Sequence, residues 1–172
     1  FREVWWFYPD SRDGNEVSRY VSLQLDSGAW SAGELARTAF VDAGAGPSPI
    51  AVDDNGAVFY HERGTTANGG AIAWSLESGD VYVDESDRVL MFKNVRPDVE
   101  DQQGLARMEI ITKQYPQGSE TTHGPYDLTP GRDKVDFRAT GRISRIKLYG
   151  EAAPCRFRLG RVNMEIGRRG RR

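Results

Sequence analysis

The stretch Lys134-Val-Asp-Phe-Arg-Ala-Thr140, followed by Ser144-Arg-Ile-Lys-Leu-Tyr149, decides the fold. In the first run Val135, Phe137 and Ala139 alternate with Lys134, Asp136 and Arg138. In the second, Ile146 and Leu148 alternate with Arg145 and Lys147. Successive side chains of a strand point to opposite faces, so this period of two predicts strands with one apolar face and one solvated face. Downstream, Arg156–Ile166 continues in kind. Phe157 and Leu159 occupy one phase while Val162, Met164 and Ile166 occupy the other, so a β-bulge is expected at Gly160-Arg161. Upstream, Ile72–Glu77, Asp80–Val83, Arg88–Val95 and Ala106–Lys113 also read as strands. Seven short strands in about 100 residues form the pattern of a β-sandwich or jelly-roll-like unit.

Residues 64–71 (Gly-Thr-Thr-Ala-Asn-Gly-Gly-Ala) lack bulky apolar side chains and mark a boundary. The part before it is also built from strands. Val4-Trp-Trp-Phe-Tyr8 is apolar at every position, which predicts a strand covered on both faces. Tyr20–Leu25 sets Val21, Leu23 and Leu25 against Ser22 and Gln24. Ile50-Ala-Val and Ala57–His61 flank Asp53-Asp-Asn-Gly56, and Asn-Gly between two apolar runs is a strong hairpin signal. Ser31–Phe40 is the one helix candidate, because Ser31-Ala-Gly-Glu34 fits a capping box. It is short, contains Gly33 and lies between strands, so a strand is the favoured reading. The expectation is an all-β chain with a boundary within residues 64–71.

The net charge of −2 conceals a strong asymmetry. Residues 132–172 hold 13 Lys and Arg against four Asp and Glu, a balance of +9, whereas residues 1–131 carry −11. A basic region suits docking on an acidic neighbour or proximity to DNA phosphates. The competing reading is that basic strands pair with acidic ones inside one fold. The terminal Arg168-Arg-Gly-Arg-Arg172 reads either as a contact tail or as a solvated terminus. No apolar stretch approaches 18 residues, so no membrane span is expected.

Signals for chemistry are sparse. The single cysteine, Cys155, excludes an internal disulfide framework. His61 falls in or just after a strand and His123 in a loop, with no second His or Cys at ligand spacing. Asp53-Asp54 and Asp84-Glu85-Ser86-Asp87 sit in expected turns, where Asp bonds the local backbone. Asp10–Asn15 and Asp53–Gly56 lack the complete ligand ladder of a calcium loop. There is no Gly-x-Ser-x-Gly elbow, phosphate loop or dinucleotide fingerprint. No catalytic residue, metal site or cofactor is expected. The consecutive Trp5, Trp6, Phe7 and Tyr8 read as sheet packing before they read as a sugar or base platform.

A resemblance runs through nearly the whole chain. Glu3-Val-Trp-Trp-Phe-Tyr-Pro9, Arg19-Tyr-Val21, Trp30, Arg37-Thr-Ala39, Pro49-Ile-Ala51, Asp54-Asn-Gly56 and Tyr60-His-Glu62 come first. Glu77-Ser-Gly-Asp80, Tyr115-Pro116, Glu120-Thr121, Arg138-Ala-Thr-Gly-Arg142, Arg158-Leu-Gly160 and Gly170-Arg-Arg172 follow in order. Together they resemble the C-terminal portion of the tail nozzle, or tubular tail protein, of short-tailed phages. The resemblance implies that 1–66 is the last part of a β-propeller and 67–172 an appended β-sandwich-like domain. It also implies a structural virion protein of the tail, not an enzyme. The subunit would join a homo-oligomeric ring, sixfold by family resemblance, that docks to the portal adaptor and other tail proteins and lets phage DNA pass. The start at Phe1 leads to the expectation of a piece of a longer protein. Because a strongly basic lumen would retard DNA, Arg138, Arg142, Arg145, Arg158, Arg168, Arg169, Arg171 and Arg172 are expected at subunit or adaptor interfaces. The alternative is a receptor- or carbohydrate-binding module of a tail fibre or spike, which would carry an exposed aromatic shelf with polar neighbours.

Overall fold

The computed structural model describes residues 2–44, 46–82 and 88–168. The chain divides into two compact units, 1–64 and 65–172. The protein is all-β: every named element is a strand, and the strands form antiparallel sheets.

The first unit contains two antiparallel meanders. One consists of β1 (Glu3–Pro9), β2 (Val17–Gln24) and β3 (Trp30–Glu34), the other of β4 (Ala39–Val41), β5 (Ile50–Val52) and β6 (Val58–Tyr60). The β2–β3 turn places Gly28 at φ +70° and the β5–β6 turn places Gly56 at φ +80°, a region that glycine enters without a Cβ penalty. Asp53 Oδ1 accepts from the amides of Asn55 (3.0 Å) and Ala57 (2.8 Å), which closes the second turn. The Ser31–Phe40 segment is extended at both ends, as favoured, since β3 ends at Glu34 and β4 starts at Ala39. Gly33 lies opposite Tyr20, and a Cβ there would sit 2.7 Å from the tyrosine ring. The ring therefore takes the space that a helix-forming residue would need.

The second unit is a two-sheet sandwich. Its strands are β7 (Trp74–Glu77), β8 (Val81–Tyr82), β9 (Leu90–Gln103), β10 (Ala106–Lys113), β11 (Thr121–Leu128), β12 (Val135–Gly141), β13 (Ile143–Gly150) and β14 (Arg156–Arg168). One sheet runs β11-β10-β13-β7, with β8 also paired to β13, and the other runs β12-β9-β14. Their inner faces meet in a core of Leu90, Phe92 and Val95 from β9, Met108 and Ile110 from β10, Val135 and Phe137 from β12, and Leu128 and Leu148. These are the alternating apolar positions of the sequence.

The register of β14 against β9 shifts between Leu159 and Val162, where the phase of the sequence slips. Two expectations need correction. Thr121–Leu128, with His123, is a strand and not a loop, and β9 continues past Val95 to Gln103. In β11 the alternation is hidden because its register against β10 shifts between Met108 and Ile110, beside Gly124 at φ +119°. In β9 the continuation is polar and contains Pro97, which is buried opposite Val162 where β14 bulges and a missing N–H breaks no ladder.

Candidate interaction surfaces

Several titratable groups are committed to local structure. His61 Nε2 accepts from Arg37 Nε at 3.0 Å, and Phe40 meets the imidazole edge-on at 5.5 Å. Burial, followed by the Arg37 charge, holds the His61 pKa below its ordinary value. Arg37 also lies 4.3 Å from the Phe59 ring centroid. His123 Nε2 lies 3.2 Å from the Thr112 hydroxyl, far from His61 in the chain and in the other unit. Asp10 bonds Arg12, while Asp13 accepts from Arg19 at 2.7 Å, and the Arg19 hydrogen bond lowers the Asp13 pKa. Among the described residues, no three His, Cys, Asp or Glu side chains are grouped to hold a metal ion. The acidic run Asp84–Asp87 lies outside the described residues.

The arginines singled out from the sequence do not form one patch. Arg145, on the outer face of β13, lies 2.8 Å from Glu120 Oε1, and its Nε approaches Glu77 Oε1 at 3.1 Å without hydrogen-bond alignment. Lys113 joins the same cluster at 3.0 Å from Asp80 and 3.3 Å from Glu120, and the Asp80 hydrogen bond raises its pKa. Arg142 lies over the Tyr115 ring at 5.5 Å. Arg158 reaches Glu100 only at 3.9 Å, and Arg138 is exposed on β12. Arg168 ends β14. Arg169, Arg171 and Arg172 lie outside the described residues. Part of the basic region is therefore neutralised within its own unit, most fully at Arg145.

The first unit carries an apolar surface. Opposite partners across strands share a face, so Val4, Leu23 and Trp30 line up, as do Trp6, Val21 and Ala32. On this face Trp6 and Trp30 stack at 5.8 Å while remaining 47% and 65% exposed. Val4, Tyr8 and Leu25 are exposed beside them. The opposite face is the packed one: Trp5 stacks on Tyr20 at 4.4 Å, and Phe7 meets Phe40 of β4 at 6.0 Å. The expectation that Val4–Tyr8 is covered on both faces is thus corrected: Trp5 and Phe7 are half-buried, Trp6 and Tyr8 exposed. At the end of the exposed face, Arg19 is tied to Asp10, Asp13 and Glu34, so the polar rim is self-paired.

The second unit carries an apolar cleft of about 500 Å³, between the β7/β8 edge of one sheet and β14 of the other. Neither surface was visible in the sequence. Alternation shows which side chains share a face but not whether another layer covers that face. No family model matches the chain, and no curated protein matches it.

Proposed function

We propose that the chain is a structural protein of a phage tail, a nozzle-type ring subunit whose first unit is the end of a β-propeller. The ring would form a conduit for DNA and dock to the portal adaptor. The observation that carries this reading is the exposed apolar face of β1-β2-β3. A meander with apolar side chains on both faces is what an internal propeller blade presents to the blades on either side. A contiguous apolar face of this kind on a soluble protein marks a contact surface. The sequence resemblance supplies the tail context, and the scattered, partly neutralised arginines suit contacts between subunits better than a uniformly basic channel.

A second reading, a glycan-binding module of a fibre or spike, draws on the exposed Trp6–Trp30 stack. Its weakness is the apolar character of the neighbours Val4, Leu25 and Ala32, which offer a sugar no hydrogen bonds. Electron microscopy of virions with this chain labelled separates the two. A symmetric ring at the distal end of the tail supports the nozzle reading. Peripheral trimers or spikes overturn it and direct attention to a glycan screen on Trp6 and Trp30.

A further inference from the structure

The sandwich of the second unit is incomplete on one side. Leu76 pairs with Leu148 and Val81 with Ser144, so both lie on the inward face of their sheet. Leu148 and Ser144 are buried at 2% and 4% exposure, yet Leu76 and Val81 remain 52% and 48% exposed. Core-facing positions left open in this way lack a covering layer. The sheet topologies show which layer it is. The β11-β10-β13-β7 sheet is four strands wide, with β8 pairing further along the same edge of β13 as β7, while β12-β9-β14 is three strands wide. Among the described residues, no strand pairs with the outer edge of β14. The cleft at that edge is lined by Leu76, Val81 and Ile146 on one side and Leu159, Val162 and Met164 on the other. Its polar contribution comes from Ser78 and Ser144, and the Ser78 hydroxyl already donates to Gly79 O and accepts from the Ile146 amide.

We infer that this cleft receives one additional β-strand from a protein partner, in which apolar residues alternate with acidic ones. A strand hydrogen-bonded to β14 would place its inward side chains under Leu76 and Val81, and its outward side chains beside the solvent face of β14. On that solvent face β14 itself contributes the cations Arg156, Arg158 and Arg161. Arg161 forms no ion pair among the described residues, and Arg158 has only the long contact to Glu100. Of the carboxylates nearby, Asp98 of β9 lies against Gly160, and Glu165 is held by β9 through Asn94 Nδ2 at 2.6 Å and Lys93 Nζ at 3.4 Å. Opposite charges on facing strands stabilise the pair and like charges oppose it. Acidic residues on the incoming strand meet this requirement. A second copy pairing through its own β14 would bring basic edge against basic edge. A hydrocarbon chain would fill the cleft but leave Arg161 and the strand edge without partners.

The test uses the full chain with methyl-labelled Ile, Leu, Val and Met and a capped peptide alternating glutamate with valine. The expected result is saturable methyl shifts confined to the cleft lining, chiefly Leu76, Val81, Ile146, Leu159, Val162 and Met164. Arg161→Glu should weaken binding by about tenfold or more, and added salt should weaken it further. A peptide alternating lysine with valine should bind at least about tenfold more weakly than the acidic one. Leu76→Gln, at a side chain already half-exposed, should keep the circular dichroism spectrum and abolish the shifts. Four outcomes overturn the inference: absent shifts, equal binding of both peptides, saturation of these methyls by dodecanoate but not by peptide, or concentration-dependent self-association through them.

Discussion

The two units bury apolar surface in different ways. In the second, Phe92, Val95, Met108, Ile110 and Val135 are completely buried between two sheets. In the first, the only buried apolar side chains among the described residues are Pro49 and Ala51, and cohesion runs through half-buried rings from Trp5 and Tyr20 to Phe7, Phe40 and His61. Burial of apolar area is the main favourable term in folding, at about 25 cal/mol per Å². The second unit therefore holds what it needs for independent stability. The first presents large apolar side chains that gain their burial only against another surface.

The largest effect that would break this contrast lies in the sandwich. Met108→Ala removes a fully buried side chain from the centre of β10 and should cost about 2–5 kcal/mol, read by denaturant unfolding of the full chain. A loss below about 1 kcal/mol would mean that the core repacks as loosely as the aromatic seam. Next comes Arg145→Met, which leaves Asp80 and Glu120 with Lys113 alone and takes from Glu77 its Arg145 contact. Arg145 is mostly buried, and the expected cost is about 1 kcal/mol, diminishing in high salt. Trp30→Ala should change the stability of the isolated chain by no more than about 0.5 kcal/mol, because the side chain is mainly exposed. In an assembled particle the same substitution should be severe, and the difference between the two measurements would report how much of that face is covered.

The smallest effect is a pH dependence specific to the first unit. His61 has a folded pKa below its unfolded value, so the unfolded chain binds the proton more readily. Stability conferred by neutral His61 is complete above the unfolded value of about 6.5 and is lost as pH falls toward the folded pKa. Asp13 acts in a separate, more acidic window: its pKa is lowered, so its contribution is present above 3.8 and fades as pH falls through the folded value. Melting curves from pH 7.5 to 5 should therefore show a slope in wild type that His61→Gln removes.

Strand positions were largely legible in the sequence, and their covering was not. Ala106–Lys113 appears with the same ends in both readings, because β10 alternates cleanly and lies between two neighbours. The bulge at Gly160-Arg161 could be read from one change of phase. β11 could not, since Gly124 and Pro125 look like a loop until they are seen to form a bulge of β11 against β10. Arg145 illustrates the limit for charge. Its count within a +9 region suggested an outside partner, but Glu77, Asp80 and Glu120 reach it from distant parts of the chain. Likewise, the aromatic run Trp5–Tyr8 revealed two apolar faces without revealing that one of them stays open.

Trp74 has a practical consequence. Its indole N–H lies 3.0 Å from Cys155 Sγ, and its ring stacks on Phe157 at 5.0 Å. Trp5, Trp6 and Trp30 all belong to the first unit, so Trp74 is the sole indole fluorophore of the second, next to the chain's single thiol. Thiols quench indole emission on contact. Unfolding of the sandwich should thus brighten one tryptophan and expose one cysteine to alkylation together, giving a two-channel clock for that unit, while the other three indoles report on the first.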